Sequence, residues 1–373
     1  MKSRFFIACA LIMLSSCNWF HESKNVQIAI IELKVPNESN ANLIRGADLA
    51  VEELNSKGGL LGRHIVLKHI KTNDDVNEGM VVAESLTREP NLIAVIGHVS
   101  SDVTLPVSSI YERNQILMIT PTATSDSITE NKRNYIFRMI PKNTEIGRSL
   151  ASYFVNHGYK KAIVFYPRTE YGLDLANNFE KRATSLGINI VDRRSYYEQS
   201  GNYTDLFDFW NQHYEFDSIL LIGTLPEGAY ILNQIREAPI DVPIISGDTF
   251  ANDEIIKLCG KHSEGLVAVA FAQLDYFKNS RLAAFREAYL KKYKSEPDQF
   301  SILGYDSILL VANAATSKKS LATSDIADYF HNHAYRGLVS TYLFDGYGNN
   351  IKFKTPYLMQ VKKGAFTFIK ERQ

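Results

Sequence analysis

The chain alternates short apolar runs with longer stretches of helical spacing, and past residue 142 the alternation starts again. In the first half, residues 26–31, 65–70, 92–96 and 116–119 read as strands. Between them, Leu43, Ala47, Ala50, Val51 and Leu54 recur at helical spacing, with Arg45, Asp48, Glu52 and Glu53 on the opposite side. Gly58-Gly59 ends that helix, because glycine accepts the left-handed backbone of a helix terminus. Residues 80–86 and 103–111 are further helices. In the second half, strands are expected at 162–166, 188–191, 219–222, 243–246 and 266–271. Helices are expected at 146–155, 173–185, 207–213, 228–236, 282–293 and 301–315. Strand followed by helix, repeated, builds a parallel sheet with helices on both faces. The chain therefore reads as α/β, with two doubly wound lobes. No Pro-, Gly- or Ser-rich linker separates them, so several short crossovers must join them. The end changes character: 341–344, 351–353, 357–361 and 366–369 look like short strands with Gly turns.

The amino terminus reads as a secretion signal. Lys2 and Arg4 precede an apolar run, Phe5 to Leu14, too short to span a bilayer. The run ends in Leu14-Ser15-Ser16-Cys17, which resembles the lipobox of bacterial lipoproteins. That resemblance implies cleavage before Cys17 and lipidation of its thiol, with acyl chains holding the protein on a membrane. Residues 1–17 are then the signal and 18–25 a polar tether. Asn18 is not the aspartate associated with inner-membrane retention. Cys9 lies within the signal, so the folded part keeps Cys259 alone and forms no internal disulfide.

Removing the signal leaves roughly 355 residues, too many for one ordinary core. Apolar residues at 45% and charged residues at 22% are those of a globular protein. Formal net charge is zero, so no overall basic field draws in nucleic acid. No later segment has the apolar length of a second membrane pass.

Several segments carry a family resemblance. Residues 46–63, Gly-Ala-Asp-Leu-Ala-Val-Glu-Glu-Leu-Asn-Ser-Lys-Gly-Gly-Leu-Leu-Gly-Arg, closely resemble the first helix and turn of type I periplasmic binding proteins. The branch is that of the Leu/Ile/Val-binding receptors of ABC importers. Asp74-Asp75 fits, and residues 96–101 and 116–124 look like the ligand loops of the first lobe. Glu170-Tyr171-Gly172, Ser246-Gly247-Asp248 and Gly304-Tyr305-Asp306 continue the match in order. The resemblance implies a type I periplasmic binding fold, with 26–141 plus 247–335 as lobe 1 and 142–246 plus 336–373 as lobe 2. It implies an extracytoplasmic receptor delivering an amino acid or similar small polar molecule to an ABC permease.

The same resemblance places the ligand contacts. Ser101 becomes a hydroxyl donor at the start of a helix, Thr122 and Ala123 contribute chiefly backbone, and Thr124 gives hydroxyl and N–H. From the second lobe, Tyr171 supplies an aromatic wall with one hydroxyl, and Asp248 a carboxylate for the ligand's ammonium. Departures are visible. Thr224-Leu225 stands where amino-acid receptors often carry an aromatic residue, and Glu32 to Pro36 lacks the small residues common in that loop. Glu32, Lys34 and Leu225 are candidates for reading the ligand's side chain. Asp102 would repel a ligand carboxylate if it pointed inward, and would otherwise cap a helix.

Enzyme signatures are missing: no HExxH, CxxC, GxSxG or GxxxxGK[ST] occurs. No cofactor or metal is expected. His331 and His333 suggest no third ligand, and Asp74-Asp75 is explained by a turn after a strand. The rival expectation is a lipoprotein of the same fold acting as a sensor or as a regulator of an envelope enzyme. A regulator predicts a blocked cleft. Fold alone does not separate these roles.

Overall fold

The computed structural model describes residues 25–197, 201–272, 274, 279–353 and 355–369. Cys17, the signal and nearly all of the tether lie outside the described residues. The first lobe begins β1 (Asn25–Leu33), α1 (Glu38–Ser56), β2 (His64–Thr72), α2 (Val76–Leu86), β3 (Leu92–Ile96), α3 (Ser101–Arg113), β4 (Met118–Thr120) and β5 (Ile136–Arg138). The second runs α4 (Asn143–Asn156), β6 (Lys161–Pro167), α5 (Glu170–Ser185), β7 (Asn189–Tyr196), α6 (Thr204–His213), β8 (Ser218–Leu221), α7 (Glu227–Glu237), β9 (Ile244–Ser246), α8 (Asp253–Cys259) and β10 (Val267–Ala270). The chain then returns to the first lobe as α9 (Ser280–Tyr293), α10 (Gln299–Lys318), α11 (Thr323–Asn332) and the small ribbon β11 (Tyr335–Arg336) with β12 (Thr341–Tyr342). It finishes in the second as the hairpin β13 (Tyr357–Lys362) and β14 (Ala365–Phe368).

The first sheet is ordered β2-β1-β3-β4-β5 and is wholly parallel. The second repeats that order as β7-β6-β8-β9-β10, parallel throughout, and adds β13 and β14 antiparallel at one edge. Helices cover both faces, so the central strands are buried on both sides and read as unbroken apolar runs such as Leu92-Ile93-Ala94-Val95-Ile96. In each sheet the strand order reverses beside the first strand, between β1 and β3 and between β6 and β8. A crevice opens at that point beyond the carboxyl ends of the strands, and ligands of open parallel sheets bind there.

Helix ends follow local chemistry. Asn37 caps α1 by accepting from the Asn40 N–H, and Asp298 and Ser301 form a reciprocal capping box at α10. Helix α10 is buried on nearly every side because α1 crosses it closely. A Cβ on Gly46 would fall 1.9 Å from the Ser301 carbonyl oxygen, and one on Gly304 1.9 Å from the Leu43 carbonyl oxygen.

The sheets shift the expected lobe boundaries. Segment 247–335 was assigned to lobe 1, yet β10 within it pairs with β9 and β13 of the second sheet. Conversely, Leu338 and Tyr342, assigned to lobe 2, donate to Asp306 on α10. Apolar runs mark strands but do not name their partners. Strand β5 was missed, being short and ending in Arg138, and the strand expected at 351–353 is a turn.

Gly304→Ala tests the helix crossing. In an open helix that change would stabilise by about 0.5–1 kcal/mol. Here overpacking against the α1 backbone should outweigh it, for a net loss on the order of 1–3 kcal/mol in urea unfolding.

Candidate functional site

The carboxyl ends of both sheets face one cavity of about 480 Å³. Its size is that of a small-molecule pocket. The first-lobe wall comes from the segments after β1, β2, β3 and β4, and the second-lobe wall from those after β6, β8 and β9. These are the positions the strand order points to.

On the first lobe, two loops are fused by one hydroxyl. Ser100 caps α3 by accepting from the Val103 N–H. The next residue, Ser101, accepts at Oγ from the Thr124 N–H at 3.3 Å and the Ser125 N–H at 3.2 Å. With both lone pairs engaged, that hydroxyl has only its hydrogen left to offer, so it acts as a donor. Thr122 spends its hydroxyl on the Val99 carbonyl at 2.8 Å. Beneath this pair of loops lies Arg138, fully buried at the end of β5. Its guanidinium donates to the Ser125 carbonyl, Thr129 Oγ1 and Asn349 Oδ1. Burial pulls its pKa down to about 10, so it stays charged at neutral pH.

On the second lobe, Tyr171 stands in the first turn of α5, which Thr169 caps through the Gly172 N–H. Its hydroxyl donates to Asp248 Oδ1 at 3.1 Å. Gly247 makes that approach possible, since a Cβ there would lie 2.3 Å from the Tyr171 oxygen. Asp248 is 4% exposed. Its carboxylate is met by Tyr171 and its own backbone N–H, and no cationic side chain among the described residues is a partner. Burial pushes its pKa up to about 6, and raises that of Tyr171 as well.

The lobes touch across both rims of the cavity. On one rim Asp102 accepts the Glu170 N–H at 2.8 Å, and Ser125 Oγ donates to Glu170 at 2.7 Å. On the other, Asn252 Nδ2 donates to Ser39 Oγ at 3.1 Å and the Glu38 N–H to Glu254 at 2.9 Å. Asp102 therefore caps a helix, as one expectation had it, but the helix belongs to the opposite lobe.

Of the candidate residues, Ser101, Thr122, Thr124, Tyr171, Thr224 and Asp248 all line the cavity. Ala123 does not. Its side chain packs in the core behind β4, and its N–H is taken by Thr120 Oγ1 at 3.1 Å. Lys34 and Leu225 also line the cavity, whereas Glu32 turns away to His69 and Lys71. His98 of the loop after β3 is buried against Tyr111, and desolvation lowers its pKa to about 3. Sequence reading gave no role to Ser39, Asn252, Glu170 or Arg138, although Glu170 stood in a segment that carried the resemblance. The first three act between lobes and have no local signature. Arg138 left one trace, a lone charge within Ile136-Phe137-Arg138-Met139-Ile140.

Among the described residues no group of three or more His, Cys, Asp or Glu could hold a metal ion, and no helix is long and apolar enough to cross a membrane. Burial raises the Cys259 thiol to about 12, which keeps it un-ionised and a poor nucleophile.

Two lobes of this topology face one another across a cavity sized for a small molecule. The periplasmic binding protein family model matches residues 36–365, and the chain belongs to that family, whose members are ligand-binding receptors. An "Amino acid binding protein" of Pseudomonas aeruginosa is 26% identical over 311 residues, 82% of this chain and 81% of that protein. An ABC transporter substrate-binding protein of Desulfitobacterium hafniense, solved with Leu, is 29% identical with a TM-score of 0.80, covering 92% of this chain and all of that one. A leucine binding protein of Thermotoga maritima is 25% identical with a TM-score of 0.84, covering 92% and 97%. The chain is thus a solute receptor of the kind that works with ABC importers.

Asp248 carries a stability signature. Its raised pKa means that the neutral form is favoured in the folded protein. The stability this confers is complete below about pH 4 and is lost as pH rises through about 6. Asp248→Asn cannot ionise, so the ligand-free variant should be more stable than wild type at pH 7.5, by up to about 3 kcal/mol, and equal to it at pH 4. Urea unfolding at the two pH values checks this.

Proposed function

We propose that this chain is a receptor for an amino acid, which it carries to an ABC permease from a lipid anchor at Cys17. The observation that carries the reading is Asp248. A dry carboxylate without a cation costs free energy, and a ligand ammonium would remove that cost. Across the cavity the Ser101 hydroxyl is left as a donor, suited to a ligand carboxylate. Thr124 and Thr122 line the same wall, and Tyr171 and Thr224 the facing one. The names of the relatives from Pseudomonas and Thermotoga support the ligand class. An open cavity favours a ligand receptor over an envelope-enzyme regulator with a blocked cleft.

The protein catalyses nothing in this reading. A ligand held by both walls stabilises the state in which the lobes meet, because only that state supplies both halves of the site.

Calorimetric titration of the full chain in mild detergent with the standard amino acids tests the proposal. At least one should bind, and Ser101→Ala and Asp248→Asn should each weaken it tenfold or more. Affinity should also fall about tenfold per pH unit below pH 6, where the ligand must displace the Asp248 proton. Binding unaffected by both substitutions would reject the site. Separately, Cys17→Ser should abolish acylation, seen by mass spectrometry as loss of the lipid mass and by release of the protein from membranes.

A further inference from the structure

One stretch of the cavity wall carries hydrogen-bond donors that the protein leaves unused. Asn40 stands in the first turn of α1 and lines the cavity, yet it is only 4% exposed. Its Oδ1 accepts the Leu33 N–H at 2.9 Å. A backbone N–H can only donate, so this bond fixes which end of the amide is oxygen and which is nitrogen. Nδ2 then holds two hydrogens that meet no acceptor among the described residues. It is not sealed in the core, so the surface it meets is that of the cavity.

The start of α1 adds to this. The Glu38 N–H goes to Glu254, the Asn40 N–H to Asn37 Oδ1 at 2.9 Å and the Ala41 N–H to the Asn37 carbonyl at 3.0 Å. The Ser39 N–H is left over among the described residues. Ser39 Oγ accepts from Asn252 and keeps its own hydrogen to donate. Ser39 lines the cavity together with Asn40. An unpaired N–H at a helix start also carries the partial positive end of the helix dipole. Each of these groups calls for an oxygen.

We infer that Asn40 and Ser39 form a second seat in the cavity, which selects a ligand whose side chain ends in an acceptor oxygen, as an amide or a carboxylate. The inference rests on the amino-acid reading proposed above and deepens it. Ser101 and Asp248 address the groups that all amino acids share, and the start of α1 reads the side chain. A hydrocarbon set against these donors strips them of water and returns no bond, whereas an oxygen replaces what is lost. Sites built on such donors discriminate strongly, because an analogue without the acceptor leaves them buried and unpaired.

The test is a titration of the full chain in mild detergent with L-glutamine, L-glutamate, L-asparagine and L-aspartate, against L-leucine and L-methionine. At least one of the first four should bind tenfold or more tightly than either apolar ligand. Tightest binding of glutamine or asparagine identifies a side-chain amide, and tightest binding of glutamate or aspartate a carboxylate. Asn40→Asp is the diagnostic variant. At pH 7.5 it keeps an oxygen for the Leu33 N–H and suits a helix start, but has no hydrogen to donate. Its preference for the oxygen-bearing ligand over leucine should fall at least tenfold. Leucine or methionine binding as tightly as the oxygen-bearing ligands in the wild type would overturn the second seat while leaving the amino-acid receptor intact. An unchanged preference in Asn40→Asp, from no loss or from equal loss of both ligands, would also overturn it. Binding of no amino acid would overturn both readings.

Discussion

The cleft is organised around a carboxylate kept out of water. Asp248 is held by a tyrosine hydroxyl and its own backbone, beside a glycine at 247 that leaves room for that hydroxyl. A charged group in that setting is expensive, and a protein ordinarily avoids the cost by pairing or neutralising it. In the proposed reading the pairing is left to the ligand: a ligand cation would remove the cost that the free protein stores, and a neutral competitor of the same shape would lack that gain. Tyr171 fixes the carboxylate's orientation.

The opposite wall is built by different means. The Ser101 hydroxyl ties the loops after β3 and β4 through two backbone N–H groups. Arg138, buried below, holds the second of those loops by the Ser125 carbonyl and ties it to Asn349. Asn349 lies on the strand-poor stretch leading to β13, where the chain crosses to the other lobe. The same guanidinium thus connects a ligand loop to a crossover. The contacts across the rims named above are polar: Asp102 and Ser125 to Glu170, Ser39 to Asn252, and Glu38 to Glu254. Such contacts form and break cheaply in water, which suits lobes that must open and close.

Much of this was legible in the sequence. Parallel central strands are buried on both faces, so their apolar runs stand out, and the helices between them keep their spacing. The wall residues Ser101, Thr124, Tyr171 and Asp248 sit immediately beyond strands, where fold and resemblance together point. Ala123 was misjudged because a residue between two lining threonines can turn inward, and the tight turn after β4 does so. Strand β10 went to the wrong lobe because its apolar sequence, Val267-Ala268-Val269-Ala270, carries no record of its neighbours. Asp102 was ambiguous for a similar reason. Its partner is a backbone N–H some seventy residues away, on a helix whose docking depends on the closed geometry. Pairings that cross the cleft are properties of the assembled lobes and have no local pattern to betray them.

The central claim is that ligand binding forces Asp248 to ionise. Calorimetry of the binding reaction in buffers of different ionisation enthalpy measures this directly, because the slope of the observed enthalpy gives the protons released. In the wild type, binding should release a growing fraction of a proton as pH falls from 8 towards 5, because Asp248 becomes protonated in the free protein over that range. The release should vanish at pH 8 and be absent throughout in Asp248→Asn. No release at any pH between 5 and 7 in the wild type would contradict the account, since the ligand would then leave the buried carboxylate as it found it.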